Sequence, residues 1–283
     1  MAEYMSLVLE GNAVPFNLDK TLSCGQVFRW EKLGAWWCGV LNNKAVRIRQ
    51  DGNQLHFFGV TEGEIIRYFD LDLDLKGILT GFPDDPILQQ AVLEAYGLRI
   101  VRQPAWECTA SYIVATFANI PGIQTRIKLL CERFGEEIRE GRYTFPSPEI
   151  LAASPLCDIR SCRVGYRDKY LCGTATVLSA DSTWEEKIAT LPYREARAEL
   201  IRLPGVGKKV ADCILLFAFH HLEAVPVDVW IDRIMRTHYL DEGKRYSYDS
   251  IADSARKIFG PNAGYAQEYL FAAREMIQEI RKK

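Results

Sequence analysis

Two lysines, one aspartate and a glycine turn are the residues of this sequence best suited to chemistry. The stretch LPGVGKKVADC, residues 203–213, sets Lys208 and Lys209 directly after the turn and ahead of an apolar run. The stretch AVPVDVWIDRIM, residues 224–235, sets Asp228 two residues after Pro226. A lysine in the first turn of a helix stands at the positive end of the dipole, which disfavours its charged form, and burial disfavours it further. A neutral amine is what a nucleophilic lysine needs. Successive helical residues diverge by about 100°, so only one of the two lysines can face an interior site. Lys209 lies one turn before Cys213, on the side marked by Val210, Ile214 and Phe217. Direction alone favours it modestly and leaves Lys208 open. Asp228 stands where a helix N-cap belongs, and capping N–H bonds would hold its carboxylate in place and ionised. The same carboxylate can stabilise a developing positive charge or handle a proton.

The turn itself has a second use. Gly205 and Gly207 are expected to bend the chain at positive φ and to leave bare N–H groups at the start of the following helix. Those amides and the helix dipole make an anion site suited to a phosphate. Such a site requires no surplus of basic side chains, which matters in a chain of formal net charge −2. Near-neutral charge argues against non-specific coating of nucleic acid but permits a local patch.

Composition narrows the class. The 283 residues suffice for a sizeable core, and 48% hydrophobic with 25% charged residues is ordinary globular usage. No apolar run approaches 18 residues, so no membrane span is expected. The opening stretch MAEYMSLVLEGNAV carries acids and no long apolar region, so a signal peptide is not expected. Eight cysteines without a CxxC pair point to reduced thiols in an intracellular compartment, with a prokaryotic cytoplasm the simplest setting. Cys157, Cys162 and Cys172 cluster in sequence, but no histidine lies near them and no metal cluster is expected there. Monomer is the default expectation.

These residues must be positioned by an α+β fold. The first hundred residues read as an antiparallel meander: GQVFRW, AWWCGV, AVRIR and QLHFF, separated by the Asn-Asn and Asp-Gly turn signals. Thr61 with Glu64 forms a capping box for a short helix in TEGEIIRYFDL. Beyond about residue 85 the apolar spacing turns helical. Helices are expected near 87–94, 105–118, 121–135, 147–153, 167–179, 184–190, 193–202, 207–219, 228–239, 248–259 and 262–281, with Ser182 and Glu185 forming a second capping box. The chain therefore divides into an N-terminal antiparallel α/β domain, 1–100, and a larger all-α region, 101–283. Within the latter, 193–219 forms a helix-hairpin-helix.

The hairpin followed by VPVD resembles the helix-hairpin-helix DNA glycosylases with a Gly/Pro-rich loop and a catalytic aspartate. KVADC with AVPVDV, GQVFRW near the start, VGYRDKY in the middle and GYAQEYLF near the end make the chain similar to the 8-oxoguanine DNA glycosylase/AP lyase family. These motifs run from residue 25 to residue 271 and stand in the family's order. The resemblance implies base flipping of oxidised guanine out of duplex DNA. It implies Lys209 as the Schiff-base nucleophile over Lys208, and Asp228 as the catalytic carboxylate. It implies that the Gly25 carbonyl meets N7–H of the lesion, that Gln267 reads the Watson–Crick edge, and that Cys213 and Phe271 sandwich the base. Tyr166 and Arg167 match the wedge and the contact to the orphaned cytosine. Gly205, Gly207 and Lys208 would meet the backbone. The main-chain carbonyls of Ile201, Leu203 and Val206 match a structural monovalent or divalent cation site. No cofactor is required by this chemistry, and no iron–sulfur cluster is expected, because no cysteine follows Cys213.

Three positions depart from the family pattern. In SYIVATFANIPGI, Phe117 and Ala118 stand where an asparagine pair is usual, and Gly122 stands where a cytosine-reading arginine is usual. Phe117 can wedge by stacking, but both losses predict a relaxed opposite-base preference. Trp230 replaces the histidine of the VDVH pattern, so phosphate contacts there must differ. Two alternatives compete: an alkylated-base glycosylase of the same superfamily, against which Lys209 and Gly25 argue, and a non-catalytic helix-hairpin-helix DNA-binding module. The latter would not require both Lys209 and Asp228.

Overall fold

The computed structural model describes residues 4–9, 14–139 and 141–280. Parts of the opening stretch (1–3 and 10–13) and residue 281, the last of the expected C-terminal helix, lie outside them.

The N-terminal layer is a five-stranded antiparallel sheet. Its strands are β1 (Met5–Val8), β2 (Glu31–Leu33), β3 (Trp36–Leu41), β4 (Lys44–Asp51) and β5 (Gln54–Phe58), in the spatial order β1-β5-β4-β3-β2. Asn42 and Asn43 both take positive φ, 48° and 60°, so the β3–β4 turn has the primed geometry that suits the right-handed strand twist. Between β4 and β5 the turn falls on Gly52 and Asn53, with Gly52 at φ 58°. Val46, Ile48, Leu55 and Phe57 point inward and pack with the helix Glu62–Phe69. That helix begins with the expected reciprocal capping box: Glu64 N–H bonds Thr61 Oγ1 at 3.3 Å and Thr61 N–H bonds Glu64 Oε2 at 2.9 Å.

GQVFRW does not form the expected strand. Gly25 stands at φ 101°, which breaks the extended run. The Gln26 side chain then takes over the bonding that a ladder would supply. Its Oε1 accepts from Val101 N at 2.9 Å, and its Nε2 donates to the carbonyls of Thr21 at 3.0 Å and Arg99 at 2.8 Å. The segment is thereby fixed as an irregular strap that exposes the Gly25 backbone to the helical region.

The helical region follows the expected pattern closely, from Pro86–Glu94 and Ala105–Val114 to Tyr248–Phe259. Three differences have identifiable causes. Ser182 does not cap: the helix Trp184–Thr190 follows Thr183, and Asp181 takes the Thr183 N–H at 3.1 Å instead. The expected 262–281 helix breaks at Ala273 into Ala263–Ala272 and Arg274–Ile280. Short helices at Leu18–Ser23, Leu75–Thr80 and Leu156–Ile159 were not legible, being too brief to show a period. The described apolar side chains gather in two clusters, one around the sheet and one from Leu75 onward through the helices.

The hairpin joins helices Tyr193–Ile201 and Lys208–Phe217. Gly205 alone of its two glycines adopts positive φ, 78°. A Cβ there would stand 2.5 Å from Tyr170 Cβ, so the turn is pressed onto the helix Asp168–Ser179. Gly207 is extended at φ −88° and ψ 179°, contrary to expectation, and it faces open space. Thr174 Oγ1 donates to Pro204 O at 2.6 Å and pins the turn from the same side.

Candidate active site

Lys209, Asp228, Gly25, Cys213, Gln267 and Phe271 line one pocket, together with Gln26, Tyr112, Phe217, Pro226 and Glu268. The expected catalytic pair and the four expected base-binding residues therefore converge from four separate parts of the chain.

Each is placed by a local device. Lys209 extends from the uncapped first turn of Lys208–Phe217, its Nζ 5.1 Å from the Tyr112 ring centroid. That ring is stacked on Phe217 at 5.4 Å with 8° between planes, and its hydroxyl donates to Gln26 O at 3.2 Å. The lysine chain thus lies along a fixed aromatic wall. Asp228 caps the helix Val229–His238: its Oδ1 accepts from Trp230 N at 3.0 Å and Ile231 N at 2.8 Å. These bonds and the nearby Lys209 and Arg274 favour the carboxylate, but burial outweighs them and moves the carboxyl above its ordinary range. The expectation that capping alone would decide its charge omitted that burial.

A buried polar cluster fixes the two catalytic segments to each other. Asp212, three residues after Lys209, accepts from Tyr193 OH at 2.7 Å, Tyr248 OH at 2.6 Å and Arg197 Nε at 2.8 Å. Tyr248 OH also accepts from Val227 N at 3.2 Å, the residue before Asp228. The helix bearing Lys209 and the turn bearing Asp228 are therefore bonded through one hydroxyl.

The residues expected to bind the base line the same pocket. Gly25 stands at φ 101°, and a Cβ there would come within 2.8 Å of Ile120 Cδ1, so the positive φ and this close approach both favour glycine; the Phe271 ring lies at ordinary contact distance, 3.7 Å. Burial pushes the Cys213 thiol up to about 12, against the pull of Lys209, so it serves as a neutral packing surface. Phe271 is flanked by Arg274, whose guanidinium lies 4.4 Å from that ring and 5.9 Å from the Trp230 ring. Gln267 is buried with Oε1 unpartnered among the described residues. Sequence reasoning missed Gln26, Tyr112, Pro226 and Glu268, whereas Phe217 stood on the side already marked as facing an interior site. Glu268 alone had a visible signal, a charge inside the otherwise uncharged helix Ala263–Ala272.

A family model described as the N-terminal domain of 8-oxoguanine DNA glycosylase matches residues 8–109. A probable N-glycosylase/DNA lyase of Methanothermobacter thermautotrophicus is 34% identical over 232 residues, spanning 74% of this chain and 73% of the relative. The chain belongs to the 8-oxoguanine DNA glycosylase family. The N-glycosylase/DNA lyase of Saccharomyces cerevisiae is 30% identical, covering 90% of this chain and 82% of its own length. Among solved structures, the 8-oxoguanine glycosylase/lyase of Clostridium acetobutylicum, in complex with double-stranded DNA, superposes with a TM-score of 0.87. It shares 32% identity across 92% of both chains. By this membership the protein is a DNA glycosylase with lyase activity.

The residues expected at the DNA face of this glycosylase are arranged less uniformly than its pocket. Phe117 is 94% exposed at φ 49°, a backbone region that costs a non-glycine residue about 1–2 kcal/mol. Tyr166 is half exposed beside it in the fold's surface, with the Arg167 guanidinium 4.6 Å from its ring centroid. Arg167, expected to reach the orphaned base, is only 6% exposed and donates to the carbonyls of Thr116 and Val164. It therefore holds the Phe117 turn from beneath. Gly122 lies in the first turn of the helix Ile120–Phe134 under its cap Asn119, with the Arg126 guanidinium alongside. Lys208, expected to meet the DNA backbone, is half exposed and ion-paired with Asp249, which also binds Arg197 at 3.0 Å. Trp230 packs on Arg233 as well as Arg274. Of the three candidate cation-site carbonyls, Leu203 O already accepts from Val206 N at 3.1 Å. No group of three or more His, Cys, Asp or Glu able to hold a metal occurs among the described residues, and no described helix is long and apolar enough to cross a membrane.

Proposed function

We propose that this glycosylase excises 8-oxoguanine from duplex DNA and then cleaves the strand by β-elimination. Lys209 Nζ, as the free amine, forms a bond to C1′ while the C1′–N9 bond breaks and the base leaves with the electron pair. The resulting cation is supported by the Asp228 carboxylate. Ring opening gives an imine, whose C2′ proton is then lost as the 3′ phosphate departs. The base enters the pocket between Cys213 and Phe271. The Gly25 carbonyl accepts from N7–H, which the lesion has and guanine lacks, and a site built on one such bond discriminates strongly. Flipping is required because C1′ cannot be reached inside the stack.

The supporting observation is the convergence of Lys209, Asp228 and Gly25 on a single pocket. On the DNA side, Phe117 and Tyr166 are the stacking surfaces that fill the gap left by the flipped base. The uncapped amides at Gly207 and beyond receive a phosphate, and Trp230 with Arg274 takes the place of a histidine contact. A structural monovalent or divalent cation at the turn would draw on the carbonyl oxygens of Ile201, Leu203 and Val206, with Leu203 O shared with Val206 N. With Phe117 at the wedge and no side chain at Gly122, the preference for the opposite base is relaxed. The test is a duplex with one 8-oxoguanine, incubated and then treated with borohydride. A covalent adduct forms; Lys209→Ala abolishes it and Lys208→Ala retains it. Persistence of the adduct in Lys209→Ala refutes the nucleophile. Turnover opposite cytosine with sharp loss opposite adenine, guanine and thymine refutes the relaxed preference.

A further inference from the structure

Glu268 is a second carboxyl in the pocket, and the catalytic pair does not account for it. It is 4% exposed, lines the pocket, and has Oε2 unpartnered among the described residues. The adjacent Gln267 Oε1 is likewise buried and unpartnered. The helix bearing both is locked in place: Tyr265 OH accepts from Ile100 N at 3.2 Å and Tyr269 OH donates to Leu98 O at 2.9 Å. Both atoms border a pocket open to solvent, where water or a ligand can supply donors.

A guanine-type base supplies them. Its pairing edge carries two adjacent donors, the ring N1–H and the 2-amino group, whereas an adenine-type base presents an acceptor at N1. Resting on the reading that this pocket receives flipped 8-oxoguanine, we propose that Glu268 is a specificity-determining residue. Its carboxylate accepts a hydrogen bond from the donor edge of the base, beside Gln267. The groups facing Glu268 are Asp228, Lys209, Cys24, Tyr112 and Cys213, with the Gln267 amide. Burial and the Asp228 charge push its carboxyl up to about 7, against the pull of Gln267, Lys209 and Cys24. The acceptor-only form therefore gains population as pH rises through neutrality, and base recognition strengthens with it.

The test compares wild type, Glu268→Gln and Glu268→Ala on three duplexes: 8-oxoguanine, its analogue lacking the 2-amino group, and a bare abasic site. Single-turnover rates are measured from pH 5.5 to 8.5, with melting curves for each variant. Wild type prefers 8-oxoguanine over the analogue by about tenfold or more at pH 8, and the preference shrinks below pH 6.5. Both variants lose most of that preference and its pH dependence. Borohydride trapping on the abasic site, which uses Lys209 and Asp228 but no base, falls much less than excision of 8-oxoguanine. Variants that fold and keep the wild-type preference and pH profile overturn the role of Glu268, as do variants whose abasic-site trapping falls as far as their base excision. If wild type traps the abasic site but leaves 8-oxoguanine untouched, the pocket reading itself fails.

Discussion

Removing the Asp212 carboxylate should strand a charge beneath the active site. Asp212 is fully buried and receives Tyr193 OH, Tyr248 OH and two contacts from Arg197, at 2.8 and 3.3 Å. In Asp212→Ala, Arg197 keeps only Asp249, which is 40% exposed. Breaking a buried pair from one side costs about 3–5 kcal/mol, because the remaining charge is left uncompensated. The individual bonds would sum to more, but bonds sharing one carboxylate are not additive. For a chain of this size, about 2–4 °C per kcal/mol translates the loss into a melting drop of roughly 6–20 °C. Asp212→Asn keeps an acceptor in the same shape and should lose less. Tyr248→Phe gives the finer test, since it also frees Val227 N beside Asp228. It should cost only about 1–2 kcal/mol in stability, yet lower the excision rate more than that loss explains, because small misplacements of a catalytic group cost up to about a hundredfold. Urea unfolding gives the stability and single-turnover excision gives the rate. A loss below about 1 kcal/mol in Asp212→Ala, with an unchanged denaturant slope, would refute the reasoning.

Glu268 should make stability fall with rising pH. Its folded value near 7 exceeds the ordinary 4.5, so the folded state holds the proton more tightly and loses that advantage between about pH 4.5 and 7. That difference corresponds to about 3 kcal/mol. Glu268→Gln should therefore be more stable than wild type at pH 8 and converge with it near pH 4.5; parallel curves across that range would contradict the assignment. Gly205→Ala meets both a positive φ and Tyr170 at 2.5 Å, and should lose more than about 1 kcal/mol together with DNA affinity, read by unfolding and by binding titration. Phe117→Gly should raise stability by up to about 1 kcal/mol by relieving the left-handed backbone, while weakening binding to lesion duplex. Unchanged affinity would remove Phe117 from the DNA face.

Much of this protein was legible because its local signals agree with its tertiary demands. The helical period located nearly every long helix, and Thr61 with Glu64 capped as read. Where the reading failed, a side chain had replaced a backbone role. Gln26 substitutes for ladder bonding at GQVFRW, and at Ser182 the helix starts one residue later, after Thr183, whose N–H is held by Asp181. The pocket residues found in advance sit in recognisable motifs. Tyr112 was invisible because core aromatics and pocket aromatics have the same sequence signature until the fold stacks it on Phe217 beneath Lys209. Arg167 was expected at the DNA because VGYRDKY matches the family's contact to the orphaned cytosine. Its burial depends on the Thr116 carbonyl, which no local pattern places nearby.

The central claim is that Lys209 is the amine that bonds the DNA sugar. The direct measurement is peptide mapping by mass spectrometry of the borohydride-trapped complex formed on 8-oxoguanine duplex. The account predicts the sugar remnant on Lys209, in the peptide that continues into Val210–Cys213. A remnant on Lys208, or on any other amine of the chain, would contradict it.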